Sequence, residues 1–104
     1  MARRKEDLKF LKERVLGNCG PDEAFWVCNG VILKSLYELL DHIKKEDNWT
    51  FKYHVNEDNN KNDFARWIRD SFEDTKLADN LEDVMDKKEY IQILQKRIKQ
   101  LESA

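Results

Sequence analysis

YHVNEDNNKNDFARWIRD, residues 53–70, runs from an apolar lead-in through an asparagine-rich loop into an amphipathic helix, and how its two halves join decides the fold. Asn62 is a natural N-cap, because a short amide side chain can accept from the free N–H groups of a first helical turn. Phe64, Trp67, Ile68 and Phe72 then recur at helical spacing and form one apolar face. His54, one of only two histidines, lies across the loop from Asn62-Asp63, so a folded-back loop would bring imidazole, carboxamide and carboxylate together.

Upstream, Trp49-Thr50-Phe51-Lys52-Tyr53-His54-Val55 alternates like a strand. With no obvious sheet partner, a short helix capped by Asp47 or Asn48 is preferred, with Trp49, Tyr53 and Val55 turned inward. Before it, Ile32, Leu36, Leu39, Leu40 and Ile43 make a wide apolar stripe, predicting a central helix over 30–46 that Asn29 would cap. Ala24-Phe25-Trp26-Val27-Cys28 is a short apolar run that periodicity cannot assign, and it reads as an extended segment near 24–28. Pro21 and all three glycines, Gly17, Gly20 and Gly30, gather here as a joint. Leu8, Leu11 and Val15 predict an amphipathic helix over 4–16 ahead of it.

Downstream, Asp74 can cap a helix carrying Leu77, Ala78, Leu81, Val84 and Met85. Asp86-Lys87-Lys88-Glu89 resembles a capping box before a last helix whose Ile91, Leu94, Ile98 and Leu101 form a near-heptad seam. The expectation is an all-α fold: a single compact domain of five to six helices. Residues 1–20 would form an N-terminal helix and joint, and 21–104 a helical core, as one folding unit.

At 104 residues the chain can bury roughly two-thirds of its unfolded surface. Three Trp, five Phe and three Tyr supply large core side chains. Charged residues make up 38% of the chain, yet the net charge is only −2, which argues against a protein devoted to coating nucleic acid. No run approaches the ~20 apolar residues of a membrane span, and the basic start lacks the apolar stretch of a signal peptide. A cytoplasmic location follows as the expectation, and the two cysteines, Cys19 and Cys28, are read as reduced, at least one of them as a small core hydrophobe.

Asn56, Asp58, Asn60 and Asn62 place oxygen donors at alternate positions, as in a calcium loop. Counted from Asn56, however, the sixth position is Lys61 where Gly is needed and the twelfth is Trp67 where a bidentate Glu is needed. Cys19, Cys28, His42 and His54 lack the short paired spacing that prepares a zinc tetrahedron, so no metal and no cofactor is expected. His54 oriented by Asp63 could serve as a general base, but no nucleophile or oxyanion device accompanies it. The structural reading, in which His54 pins the loop, is preferred. Arg3, Arg4, Lys96, Arg97 and Lys99 could jointly contact phosphates, although charge runs on helices are usually solvated faces.

AFWVCNGVILKSLYELL (24–40), YHV (53–55), NDFARWIRD (62–70) and DTKLADNL (74–81) occur in an order and spacing that resemble a family of small prokaryotic, mainly archaeal, helical domains of unknown function. The resemblance covers about residues 23–95. Members often carry an acidic residue where this chain has Asn29. The resemblance implies a helical domain and marks His54, Asn62, Asp63, Phe64, Trp67, Ile68 and Asp70 as parts of the pattern, without an activity, substrate or cofactor. The resulting expectation is a non-catalytic adaptor that binds another protein, as a monomer or as a weak homodimer through its C-terminal helix. The alternatives are a nucleic-acid or ribosome-associated factor and, less favoured, a hydrolase centred on His54 and Asp63.

Overall fold

The computed structural model describes residues 8–28, 30–56 and 61–104. Residues 4–7 of the expected first helix, Arg3, Arg4, the Asn29 cap, and Asp58 and Asn60 of the loop lie outside the described residues, as do the side chains of Leu8 and Leu11. Six α-helices are described: α1 (Leu8–Leu16), α2 (Leu36–Lys45), α3 (Asn48–His54), α4 (Asp63–Phe72), α5 (Thr75–Glu82) and α6 (Lys87–Glu102). Two short antiparallel ladders join them, β1 (Phe25–Trp26) with β2 (Ile32–Leu33) and β3 (Val55–Asn56) with β4 (Lys61–Asn62). The fold is therefore mostly helical rather than all-α.

The first ladder corrects the start of the central helix. Phe25 pairs with Leu33 and Trp26 with Ile32, and the tip closes through Gly30 N–H to the Val27 carbonyl and Val27 N–H to the Val31 carbonyl. Gly30 sits at φ +94, a left-handed conformation that a residue with a Cβ resists. The helix consequently begins only at Leu36, where the Ser35 hydroxyl accepts from Glu38 N–H. Leu36, Leu39 and Ile43 are buried as the stripe predicts, whereas Ile32, counted in the same stripe, is an exposed strand residue.

The preferred helix over the Trp49 segment is present, capped by Asp47, whose carboxylate accepts from Thr50 N–H at 2.9 Å. Its inward face is different from the expected one. Thr50, Phe51 and His54 point into the core, while Trp49 and Tyr53 stack on each other outside, with ring centroids 5.8 Å apart. A segment aromatic on both sides lets either face be buried, and the cap at Asp47 sets the rotation that wins. Val55 is buried as expected.

The remaining helices start at the predicted residues. Asn62, Asp74 and Asp86 cap α4, α5 and α6, each accepting from the N–H three residues on. Phe64, Trp67, Ile68 and Phe72 are all buried. Val84 and Met85 fall beyond the end of α5, half-buried in the link to α6. The inner seam of α6 is Tyr90, Leu94, Ile98 and Leu101, with Ile91 only half-buried. This seam packs on α1, α2 and α5, so the apolar stripe that could zip onto a second copy is spent within the chain. No helix among the described residues is long and apolar enough to cross a membrane.

Candidate functional site

His54 ends α3 and is only 4% exposed. Its Nε2 accepts the backbone N–H of Cys28 at 3.1 Å, and its Nδ1 lies 2.9 Å from Asp63 Oδ2. An amide nitrogen can only donate, so Nε2 must be bare, and the ring proton sits on Nδ1, facing the carboxylate. The rings of Phe25, Tyr53 and Phe64 enclose the imidazole at centroid distances of 5.1, 5.0 and 5.3 Å. The ring thus ties the hairpin tip, the end of α3 and the start of α4 into one joint. Sequence reasoning brings His54 and Asp63 together correctly. The lone pair that a general base would need, however, is already committed to the hairpin backbone.

Asn62 completes the joint from the other side. Its Oδ1 accepts from Ala65 N–H at 3.2 Å and from the Tyr90 hydroxyl at 2.7 Å, while its Nδ2 donates to the carbonyls of Leu81 and Glu82. Both the oxygen and the amide group are thereby used, linking α4, α5 and α6. Burial pushes the Tyr90 phenol well above its usual range, which keeps it a neutral donor. Trp67 packs against Phe25 and donates its indole N–H to the Glu23 carbonyl, which pins the segment ahead of β1. Asp70 is exposed on α4, away from these contacts.

Lys61 stands 3.6 Å from Asp63 Oδ2 and over the Tyr53 ring. A cavity of about 260 Å³ opens beside Asn62, edged by Lys61, Arg66, Arg69, Glu82 and Asp83. Arg69 is engaged there by Asp79 and Glu82. None of the described cavities is lined by His54 or Asp63.

Of the basic residues grouped by the sequence that the structure describes, Arg97 stands apart from Lys96 and Lys99. Lys96 and Lys99 are exposed, but Arg97 is 5% exposed and holds Asp74 through two 2.9 Å bonds, from Nε and Nη2. Its Nη1 donates to Gln100. Asp74 both caps α5 and neutralises Arg97, so this arginine belongs to the core rather than to the basic face. Cys19 is half-buried, its thiol pushed up by burial, and Cys28 is exposed; both are free. Among the described residues no three His, Cys, Asp or Glu side chains gather as metal ligands.

Two features escape the sequence reading. One is a second histidine–carboxylate pair, His42 with Glu46, whose i, i+4 spacing is visible but whose burial is not. The other is the outer face of the β1–β2 hairpin, where Trp26, Val31 and Ile32 are exposed. The dipeptide Asn29-Gly30 between apolar runs is the signal that could have found it.

These features define a small helical domain organised around a hydrogen-bonded His–Asp joint. The chain belongs to the family of unknown function DUF5752, whose model matches residues 27–103. No curated protein and no solved structure matches it.

Proposed function

We propose that the domain is a non-catalytic protein-interaction module of the cytoplasm that docks through the outer face of the β1–β2 hairpin. The observation that carries this reading is Trp26, 68% exposed and paired across the ladder with Ile32, next to the exposed Val31. The inner face of the same hairpin is anchored by Leu33 and Phe25, and its tip is held by His54. An exposed tryptophan on a braced element offers large contact area at small entropic cost, the usual chemistry of an interface hot spot. On α3, Trp49 and Tyr53 present further exposed aromatic surface.

The test is crosslinked capture from the native lysate with the wild-type chain and with a Trp26→Ser/Ile32→Ser variant. A reproducible protein partner that the variant loses supports the reading. A partner retained by the variant, or no partner at all, overturns it. RNA or DNA retained at low salt and released by Lys96→Glu/Lys99→Glu would put the nucleic-acid reading in its place.

A further inference from the structure

Among the described residues, the buried side-chain atoms without a hydrogen-bond partner all lie at one corner: His42 Nε2, Glu46 Oε1 and Glu46 Oε2. The Glu46 side chain is wholly sealed from solvent and that of His42 is 11% exposed. Nε2 and Oε1 approach to 2.8 Å, and neither these two atoms nor Oε2 has another hydrogen-bond partner among the described residues. A carboxylate without donors is among the costliest groups to bury, and a native fold keeps one only if it can be neutralised.

Glu46 is also where three helices meet. Its N–H closes α2 onto the His42 carbonyl, its own carbonyl receives the Lys87 ammonium from the start of α6, and the next residue, Asp47, caps α3. The charged and titratable groups facing the pair are Asp41 on α2, Asp47 and His54 on the α3 side, and Lys87 on α6. Burial outweighs Lys87 and, with Asp47, pushes the Glu46 carboxyl up to about 7. Burial, together with His54 and Lys87, holds the His42 imidazole below its usual value against the opposing Asp41. A metal ion is disfavoured, because the ammonium of Lys87 stands at the corner and no third ligand joins the two among the described residues. The ligand that fits is a proton.

We propose that His42 and Glu46 form a proton-operated latch: one proton shared across their gap keeps the α2–α3–α6 corner shut, and its loss to solvent turns Glu46 outward and loosens the corner. With that proton the pair is neutral, whether it is written as carboxyl with imidazole or as carboxylate with imidazolium. Without it, a lone carboxylate is left inside. Turning Glu46 out relieves that charge and unpacks the residue whose backbone carbonyl holds Lys87.

Amide hydrogen exchange on the full chain tests this between about pH 5 and pH 8, corrected for intrinsic rates. Because an opened Glu46 titrates near 4.5, protection at residues 46–50 and 87–90 is expected to fall at least about tenfold as the pH rises to about 7, and then to level off. Glu46→Gln should not show that fall, keeping only the opposite His42 slope, in which protection weakens as the pH drops below 6.5. Wild-type and variant profiles of equal slope would overturn the latch. If Glu46→Gln does not fold, the wild-type Glu46 carboxyl carbon and His42 ring resonances decide together: a midpoint near 7 at either group supports the proposal, and midpoints below about 5.5 at both in the folded chain overturn it.

Discussion

Two histidine–carboxylate pairs stand in this small domain at almost the same separation, 2.9 Å for His54 with Asp63 and 2.8 Å for His42 with Glu46. Their surroundings are opposite. At the His54 joint each ring nitrogen has a partner of the right kind, and the Asp63 side chain keeps 24% exposure and a neighbouring Lys61. At the His42 corner neither carboxylate oxygen finds a donor and the side chain sees no water. Distance alone therefore says little about what such a pair does. Completed hydrogen-bonding capacity makes the first pair a fastener, and uncompleted capacity makes the second sensitive to a single proton.

A second fully buried acid, Asp74, is the strongest way to break this comparison, because Arg97 pairs it fully. Arg97→Met should cost about 3–5 kcal/mol in urea unfolding, since Asp74 would be left buried without its counter-ion, keeping only its cap bond to Leu77 N–H. A loss below about 1 kcal/mol would mean that completeness of pairing is not what governs these sites. His54→Ala should cost about 3 kcal/mol, by leaving the Cys28 amide without its acceptor and removing the ring packed among Phe25, Tyr53 and Phe64. The same variant should speed protease cleavage at the hairpin tip, and cleavage no faster than in the wild type would show that His54 does not brace it.

The His42 corner predicts an effect of opposite sign. Because the fold raises the Glu46 carboxyl from 4.5 to about 7, its protonated form favours folding below 4.5, and that stabilisation is lost as the pH climbs to about 7. His42, held low, works in the other direction: its contribution disappears as the pH falls below 6.5. Glu46→Gln should therefore stabilise the chain by about 1–2 kcal/mol near pH 8 and much less near pH 5.5, measured as Tm against pH. A pH-independent difference would assign Glu46 an ordinary packing role. Trp26→Ser is the smallest expected change, within about 0.5 kcal/mol in stability, because a largely exposed ring contributes little to the fold.

Much of this architecture is legible in the residues. Asn62, Asp74 and Asp86 announce their helices because a short polar acceptor before an apolar period has one common use. The approach of His54 to Asp63 follows from the loop between them. The hairpin is hidden because Ile32 lies four residues before Leu36 and so imitates a helical stripe, while only Asn29-Gly30 betrays the turn. The facing of α3 is hidden because Trp49 and Tyr53 are as apolar as the residues that are buried in their place. Arg97 sits between lysines in the sequence, and only the arrival of Asp74 from another helix tells it apart from a solvated face. Burial of Glu46 is likewise a tertiary fact that no local pattern encodes.

The hairpin tip carries one more consequence. Cys28 exposes its thiol while its own backbone N–H is the group that His54 grips, and Cys19 is half-buried with a thiol pushed up by burial. Alkylating reagents near neutral pH should therefore modify Cys28 first. An environment-sensitive dye placed there would sit one residue's width from the joint, giving the wild-type chain a built-in optical gauge of whether that joint is closed.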